Sequence, residues 1–279
     1  MEKVKMLLLL ISIFSFACYA STPTKGIDRT KITEEKMSKV FGKDYLSSLK
    51  GTDPDLVEMY ERFTYGDLAS RGVLSDKQRE LISLVAITTN NLVDEVKMHV
   101  NGALNVGASP EEIKETLYQC APYIGFPKVM AAVAKTNEVF KERGIPLPVK
   151  SQKTVTETTR YDEGLKIQVS TFGEGIRQSI VNAPDNQKHM FEYLSSFCFG
   201  DTYTRGTLTM KDRELITMCA IATLGGCEPQ VKAHVRGNIS VGNSKELLID
   251  AITQMVPYNG WPRTLNALSC INEIVPENK

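Results

Sequence analysis

Shifted by 134 to 135 residues, the chain falls onto itself. Arg79-Glu80-Leu81-Ile82 meets Arg213-Glu214-Leu215-Ile216, and His99-Val100 meets His234-Val235. Downstream, Gly102 meets Gly237, Val106-Gly107 meets Val241-Gly242, and Pro122-Tyr123-Ile124-Gly125-Phe126-Pro127 meets Pro257-Tyr258-Asn259-Gly260-Trp261-Pro262. Upstream, Gly66-Asp67 and Arg71-Gly72 meet Gly200-Asp201 and Arg205-Gly206. Identities this dense in one register mark a duplicated domain, so an acceptable fold must be built twice. The shift grows by one residue between Ile87/Ile221 and His99/His234, which places an insertion in the loop before the histidine helix.

Both copies carry helix signals and no strand signals. Ser75-x-x-Gln78 opens an apolar run through Thr88 as a capping box, and Thr209-x-x-Asp212 opens its twin. Ser109-Pro110-Glu111-Glu112 starts a further helix with proline in its first turn, and Ser244-Lys245-Glu246 starts the counterpart. Gly107 and Gly242 stop the histidine helices before them. Sustained period-two alternation is missing, which predicts an all-α protein. The expected division is a leader over 1–20, a first domain over 21–143, a Pro- and Ser/Thr/Lys-rich linker over 144–160 and a second domain over 161–279. Each copy alone would leave apolar helix faces bare, so the two are expected to pack face to face.

The leader has Glu2, Lys3 and Lys5, an apolar run from Met6 to Ala17, and then Cys18-Tyr19-Ala20-Ser21, the order of a secretory signal peptide. Such a run is too short for a permanent membrane span. Cleavage after Ala20 would release a soluble periplasmic or secreted protein. Cleavage before Cys18 would leave a lipid anchor there, but the box lacks the usual leucine three residues earlier, which favours the soluble product. With Lys+Arg 33 and Asp+Glu 33, formal net charge is zero, which excludes a nucleic-acid binder. Neither metal-ligand spacing nor a phosphate loop occurs, so no cofactor is expected.

Beyond the leader stand Cys120, Cys198, Cys219, Cys227 and Cys270, an odd number with no Cys-x-x-Cys. Cys120, Cys198 and Cys219 read as packing residues, and Cys270 is left open. Cys227 differs. It follows Gly225-Gly226 and precedes Glu228-Pro229, at a helix N-terminus where free N–H groups favour a thiolate. Cys227, Gln230 and His234 then fall at i, i+3 and i+7, one stripe of that helix. Glu214 arrives from the preceding helix and could orient His234. In the first copy Glu80 replaces Glu214, Leu92 stands for Cys227, and Glu95 and His99 form an i, i+4 pair. The plain alternatives are a solvated Arg–Glu ion pair and a structural histidine. Recurrence of both residues in diverged copies weighs toward a site. His189 does not recur and reads as surface.

This combination resembles the carboxymuconolactone decarboxylase family, including its alkylhydroperoxidase D branch: Arg-Glu-Leu-Ile, about twenty residues, His-Val, Val-Gly before a capped helix, then Pro-Tyr-x-Gly-[Phe/Trp]-Pro. The resemblance covers roughly 55–143 and 190–275. It implies an all-helical fold, assemblies of six such domains, and a pocket holding the glutamate and histidine. Two fused copies would then form a homo-oligomer of three chains. The peroxidase branch carries Glu…Cys-x-x-Cys-x-x-x-His; here Cys227 and Gln230, or Leu92 and Glu95, stand where the two cysteines would be, so the dithiol is missing from both copies. The first functional expectation is a decarboxylase-like lyase acting on a small carboxylated or lactone-type molecule by Glu/His acid–base chemistry, with the second copy favoured. The alternatives are a thiol-dependent, peroxiredoxin-type peroxide reductase using Cys227 and His234, and a non-catalytic binding protein. Tyr123, Tyr258 and Trp261 recur in a fixed chain reversal and serve either as pocket wall, with Gln230, or as aromatic packing.

Overall fold

A computed structural model describes residues 28–43 and 47–277; the leader and Cys18 lie outside the described residues. The described part of the first copy comprises α1 (Arg29–Phe41), α2 (Pro54–Glu61), a π-helical segment over Arg62–Leu68, α3 (Asp76–Thr89), α4 (Val96–Asn105), α5 (Pro110–Ile124) and α6 (Phe126–Glu142). The second comprises α7 (Arg160–Phe172), α8 (Gly175–Val181), α9 (Lys188–Tyr193), a π-helical segment over Leu194–Tyr203, α10 (Met210–Leu224), α11 (Glu228–Ser240), α12 (Lys245–Gln254) and α13 (Val256–Ile274). No strand occurs among the described residues.

The capping boxes form where the sequence places them. Ser75, Ser109 and Thr209 each cap a helix reciprocally with the residue three positions on, and Ser244 accepts from the Leu247 N–H. The Pro-Tyr-x-Gly-[Phe/Trp]-Pro motif is a sharp bend. Gly125 (φ +85°) separates α5 from α6, and Gly260 (φ +70°) breaks α13, a conformation that side chains with a Cβ rarely adopt.

Two helices are buried on every face. In α3 all residues from Arg79 to Thr89 are buried, and in α10 all from Arg213 to Thr223. A helix covered all round must sit at the centre. The two pack on each other there, inside one apolar core that runs through both copies. Their arginines cross between copies and do so reciprocally. Arg79 donates to Gln254 Oε1 at 2.8 Å, and Arg213 donates to Gln119 Oε1 at 2.7 Å. Each also reaches a main-chain carbonyl of its own copy, Arg71 or Arg205. Glu115 takes the Arg205 guanidinium at 2.9 Å and Arg213 at 3.4 Å. The solvated Arg–Glu pair therefore does not exist, because these residues tie the halves together from within.

Residues 143–159 carry no helix, but the connection does not swing free. Gly206 N–H donates to Gln152 O at 2.9 Å, Thr154 Oγ1 donates to Thr204 O at 2.8 Å, and Val155 is buried.

Two features go beyond the sequence reading. The π-helical segments replace expected α-turns, and in the second copy α7 lies directly on that segment. A Cβ added at Gly164 would come within 2.0 Å of Ser195 O, and one at Gly200 within 2.1 Å of Arg160 O. Helices α1 and α7 are also equivalent to each other, although they precede the stretch of matched identities. Arg29 pairs with Asp67 and Arg160 with Asp201, fixing both helices in the same way.

Arg213→Ala should lower stability by about 3 kcal/mol, since it strands Gln119 and two carbonyls and thins the cover of Glu115. Lys31→Ala, at an exposed ion pair, should cost under about 0.5 kcal/mol. Urea unfolding of both variants checks this, and equal midpoints would contradict it.

Candidate active site

Glu214 is fully buried near the start of α10, and its carboxylate needs partners. Oε2 lies 2.9 Å from His234 Nδ1, and Oε1 accepts from the Tyr203 hydroxyl at 2.8 Å. Nδ1 is thus turned to the carboxyl, and Nε2 is the ring nitrogen that faces away from it. Asn238 fastens the two helices by donating to Glu214 O at 2.9 Å and to His234 O at 2.8 Å. Glycine at 237 leaves the space for this approach. A Cβ there would stand 2.4 Å from Glu214 Oε2 and 3.0 Å from the Phe172 ring. That explains why Gly102 recurs, where a Cβ would meet Glu80 Oε2 at 2.8 Å.

The network continues into the first copy. Tyr123, from α5, donates to Tyr203 Oη at 3.3 Å and lies 3.2 Å from Cys198 Sγ. Its ring meets His234 edge-on at 5.7 Å, while Phe172 meets it at 5.3 Å from α7. Burial, followed by the nearby Cys198 and Tyr203, drives the Tyr123 hydroxyl far above its ordinary range. For Tyr203 burial again leads, and the charge of Glu214 adds to it. Both therefore stay protonated as donors. Tyr203 aligns with Ala69, so this donor is special to the second copy.

His234, Cys227 and Gln230 share one wall of a cavity of about 530 Å³, as their single-stripe spacing predicts. Phe172, Phe197, Phe199, Ile221 and Leu224 supply much of the rest, and Met190, Tyr193 and Leu194 form an exposed apolar rim. Cys227 is half-buried at the N-cap of α11. Among the described residues His234 Nε2 takes no hydrogen bond, so the nitrogen that can move a proton stays uncommitted on a ring in the cavity wall.

The first copy repeats the pair and closes it. His99 Nδ1 lies 2.8 Å from Glu80 Oε2, but the Tyr258 hydroxyl occupies Nε2 at 3.1 Å. His99 has no exposed surface, and the void that touches Glu80 measures about 10 Å³.

Several expectations need correction. Glu95 does not pair with His99. It stands at the N-cap position of α4, at the end of a short 3-10 turn, with its side chain in solvent, whereas His99 points inward to Glu80 and Tyr258. Tyr258 and Trp261 do not wall the second copy's cavity. Tyr258, before the Gly260 bend, and Trp261, after it, both meet the first copy, where Asn90 donates to Tyr258 O at 3.0 Å and the exposed Trp261 leans on Phe63. Tyr123 is exchanged in the opposite direction. Cys198, read as packing, lines the cavity, and burial pushes its thiol up to about 12, so it remains a thiol. Cys120 and Cys219 are buried core residues, and His189 is exposed. Cys270 is buried, with Sγ 3.9 Å from Glu228 O.

Sequence reasoning missed Tyr203, which has no counterpart to reveal it, and Phe172. Phe172 did leave a signal: Arg29 and Arg160 each precede a Phe-Gly pair by the same interval, Phe41-Gly42 and Phe172-Gly173. Among the described residues no group of three His, Cys, Asp or Glu is placed to hold a metal, and no helix is long and apolar enough to cross a membrane.

Comparison with known proteins gives the same two-fold pattern. The chain is 30% identical over 115 residues to the 4-carboxymuconolactone decarboxylase of Acinetobacter baylyi, covering 40% of this chain and 86% of that protein. It is 28% identical over 107 residues to the nitrosuccinic acid decarboxylase of Metarhizium robertsii, covering 37% of this chain and 75% of that one. An uncharacterized 15.0 kDa protein of Paracoccus denitrificans is 34% identical over 80 residues, covering 28% and 60%. The model of the carboxymuconolactone decarboxylase family matches twice, over residues 54–138 and 188–273, so the chain belongs to that family and carries its domain in tandem.

Proposed function

We propose that the protein is a decarboxylase whose working site is the Glu214–His234 pair of the second copy. The single observation that carries this reading is an uncommitted His234 Nε2 on the wall of a ligand-sized cavity, backed by a buried carboxylate. The two relatives named as decarboxylases support the reaction class. In the proposed step the bond from a substrate carbon to its carboxylate breaks and carbon dioxide leaves. The electron pair passes into an adjoining electron-withdrawing group as an oxyanion. His234, protonated from solvent and held by Glu214, stabilises that charge and returns a proton to carbon. Gln230 and Cys227 provide polar contacts on the same wall. Tyr203 is a positioning residue acting through Glu214.

The copies are proposed to be unequal, the first serving as scaffold and as donor of Tyr123. The closed Glu80–His99–Tyr258 arrangement supports this. A second reading, peroxide reduction by Cys227 with His234, is favoured by the half-exposed Cys227 in the same cavity. The order of residues 2–21 supports export, and family membership supports a homotrimer.

Carbon dioxide release, assayed over a panel of activated carboxylic acids and carboxylated lactones, should fall on the order of a hundredfold or more in His234→Ala. His99→Ala, in protein shown to be equally folded, should lose under about threefold. Equal losses would contradict the asymmetric reading. Cys227→Ser should keep most decarboxylation, while a sulfenic-acid trap that labels wild type but not Cys227→Ser after peroxide would favour the thiol reading. Light scattering of the leader-free protein should give three chain masses, and a clean single-chain mass would contradict the trimer.

A further inference from the structure

The cavity beside His234 has an unusual balance of charge. Among its described lining residues there is no arginine, lysine, aspartate or glutamate, and His234 is the one basic side chain. Apart from the hydroxyls of Tyr123, bonded to Tyr203, and of the rim residue Tyr193, the other polar side chains stand at two places. Gln230 and Cys227 stand beside the histidine on α11, and Gln168, whose oxygen is taken by Ser195 at 2.8 Å, lies on α7. Everything else is aromatic, aliphatic or sulfur. The rim extends the apolar character into solvent, with Met190 at 59%, Tyr193 at 60% and Leu194 at 43% exposure. Cationic groups do stand nearby, but they are committed elsewhere. Arg205 holds Glu115, and Arg263 donates to Asn90 Oδ1 and Thr223 O, each at 2.8 Å.

We infer that the substrate is a monocarboxylate with a sizeable apolar body, its single carboxylate at His234 and its alkyl or aryl remainder along Phe172, Phe197 and Leu224 toward the Met190–Tyr193 rim. The inference rests on the proposed decarboxylase reading and specifies the ligand of that site. A second carboxylate, as in a small dicarboxylic acid such as nitrosuccinic acid, would enter a wall with no cation to receive it, and an unpaired buried charge is strongly disfavoured. A volume of about 530 Å³ also exceeds the needs of a very small acid and falls in the range of cavities that enclose drug-sized ligands.

Calorimetric binding of straight-chain monocarboxylates from butanoate to decanoate, each against the dicarboxylate of equal length, tests the assignment on the full-length mature protein. Affinity should rise about fourfold per methylene until the cavity is full. Each dicarboxylate should bind at least about tenfold more weakly than its monocarboxylate. Met190→Arg, a change at an exposed rim position, should narrow or reverse that preference. Affinity independent of length, dicarboxylates binding as tightly as monocarboxylates, or an unchanged preference in Met190→Arg would each overturn the inference. The readout is binding alone, so failure of the reaction class remains separable. Length-graded binding without carbon dioxide release from any activated acid would sink the decarboxylase reading only, whereas efficient release from small dicarboxylates without length dependence would sink this one only.

Discussion

A carboxylate with no exposure to water organises this molecule. The buried Glu214 carboxyl needs hydrogen-bond partners, and two elements supply them. Helix α11 brings His234, the π-helical segment brings Tyr203, and Gly237 lets the helix backbone come close enough for the imidazole to engage. Asn238 then locks α10 to α11 through main-chain carbonyls. Removing His234 or Tyr203 leaves the buried Glu214 side chain short of a partner, so the demands of that group fix helix spacing.

The duplication makes that arrangement possible and also divides it. Each copy sends its proline-flanked tyrosine into the other, Tyr123 toward His234 and Tyr258 toward His99, while Arg79 and Arg213 cross to a glutamine of the opposite half. Neither site is therefore complete within its own copy. The exchanged tyrosines have different destinations. In the second site Tyr203 and Cys198 attract the Tyr123 hydroxyl and leave Nε2 uncommitted; in the first, alanine replaces Tyr203 at position 69 and the Tyr258 hydroxyl settles on Nε2. Differences on the π-helical segments, Ala69 against Tyr203 and Thr64 against Cys198, accompany the contrast between an open histidine and a sealed one.

Much of the fold was legible, because helix caps and glycine stops are local and because the repeat checks each assignment twice. Ser75, Ser109 and Thr209 cap where they stand in the sequence, and the stripe of Cys227, Gln230 and His234 does face one cavity. What stayed hidden was non-local. The reversal at Gly260 can be read, but the sequence does not say which copy the residues flanking it, Tyr258 and Trp261, will meet. Glu95 failed for a related reason. Helical spacing puts it one turn before His99, yet at a helix cap its side chain turns to solvent instead of along the buried stripe. Tyr203 and Cys198 sit on a π-helical segment, where ordinary α-periodicity does not predict which side chains turn inward.

Carbethoxylation of histidines by diethyl pyrocarbonate, followed residue by residue with peptide mass spectrometry, tests the central asymmetry most directly. The protein supplies its own reference in the exposed His189. The account predicts that His189 reacts quickly, that His234 reacts measurably and is protected by a bound carboxylate, and that His99 stays unmodified until the protein unfolds. Modification of His99 in folded protein at a rate matching His234 would contradict the claim that, of the paired histidines, only that of the second copy is open.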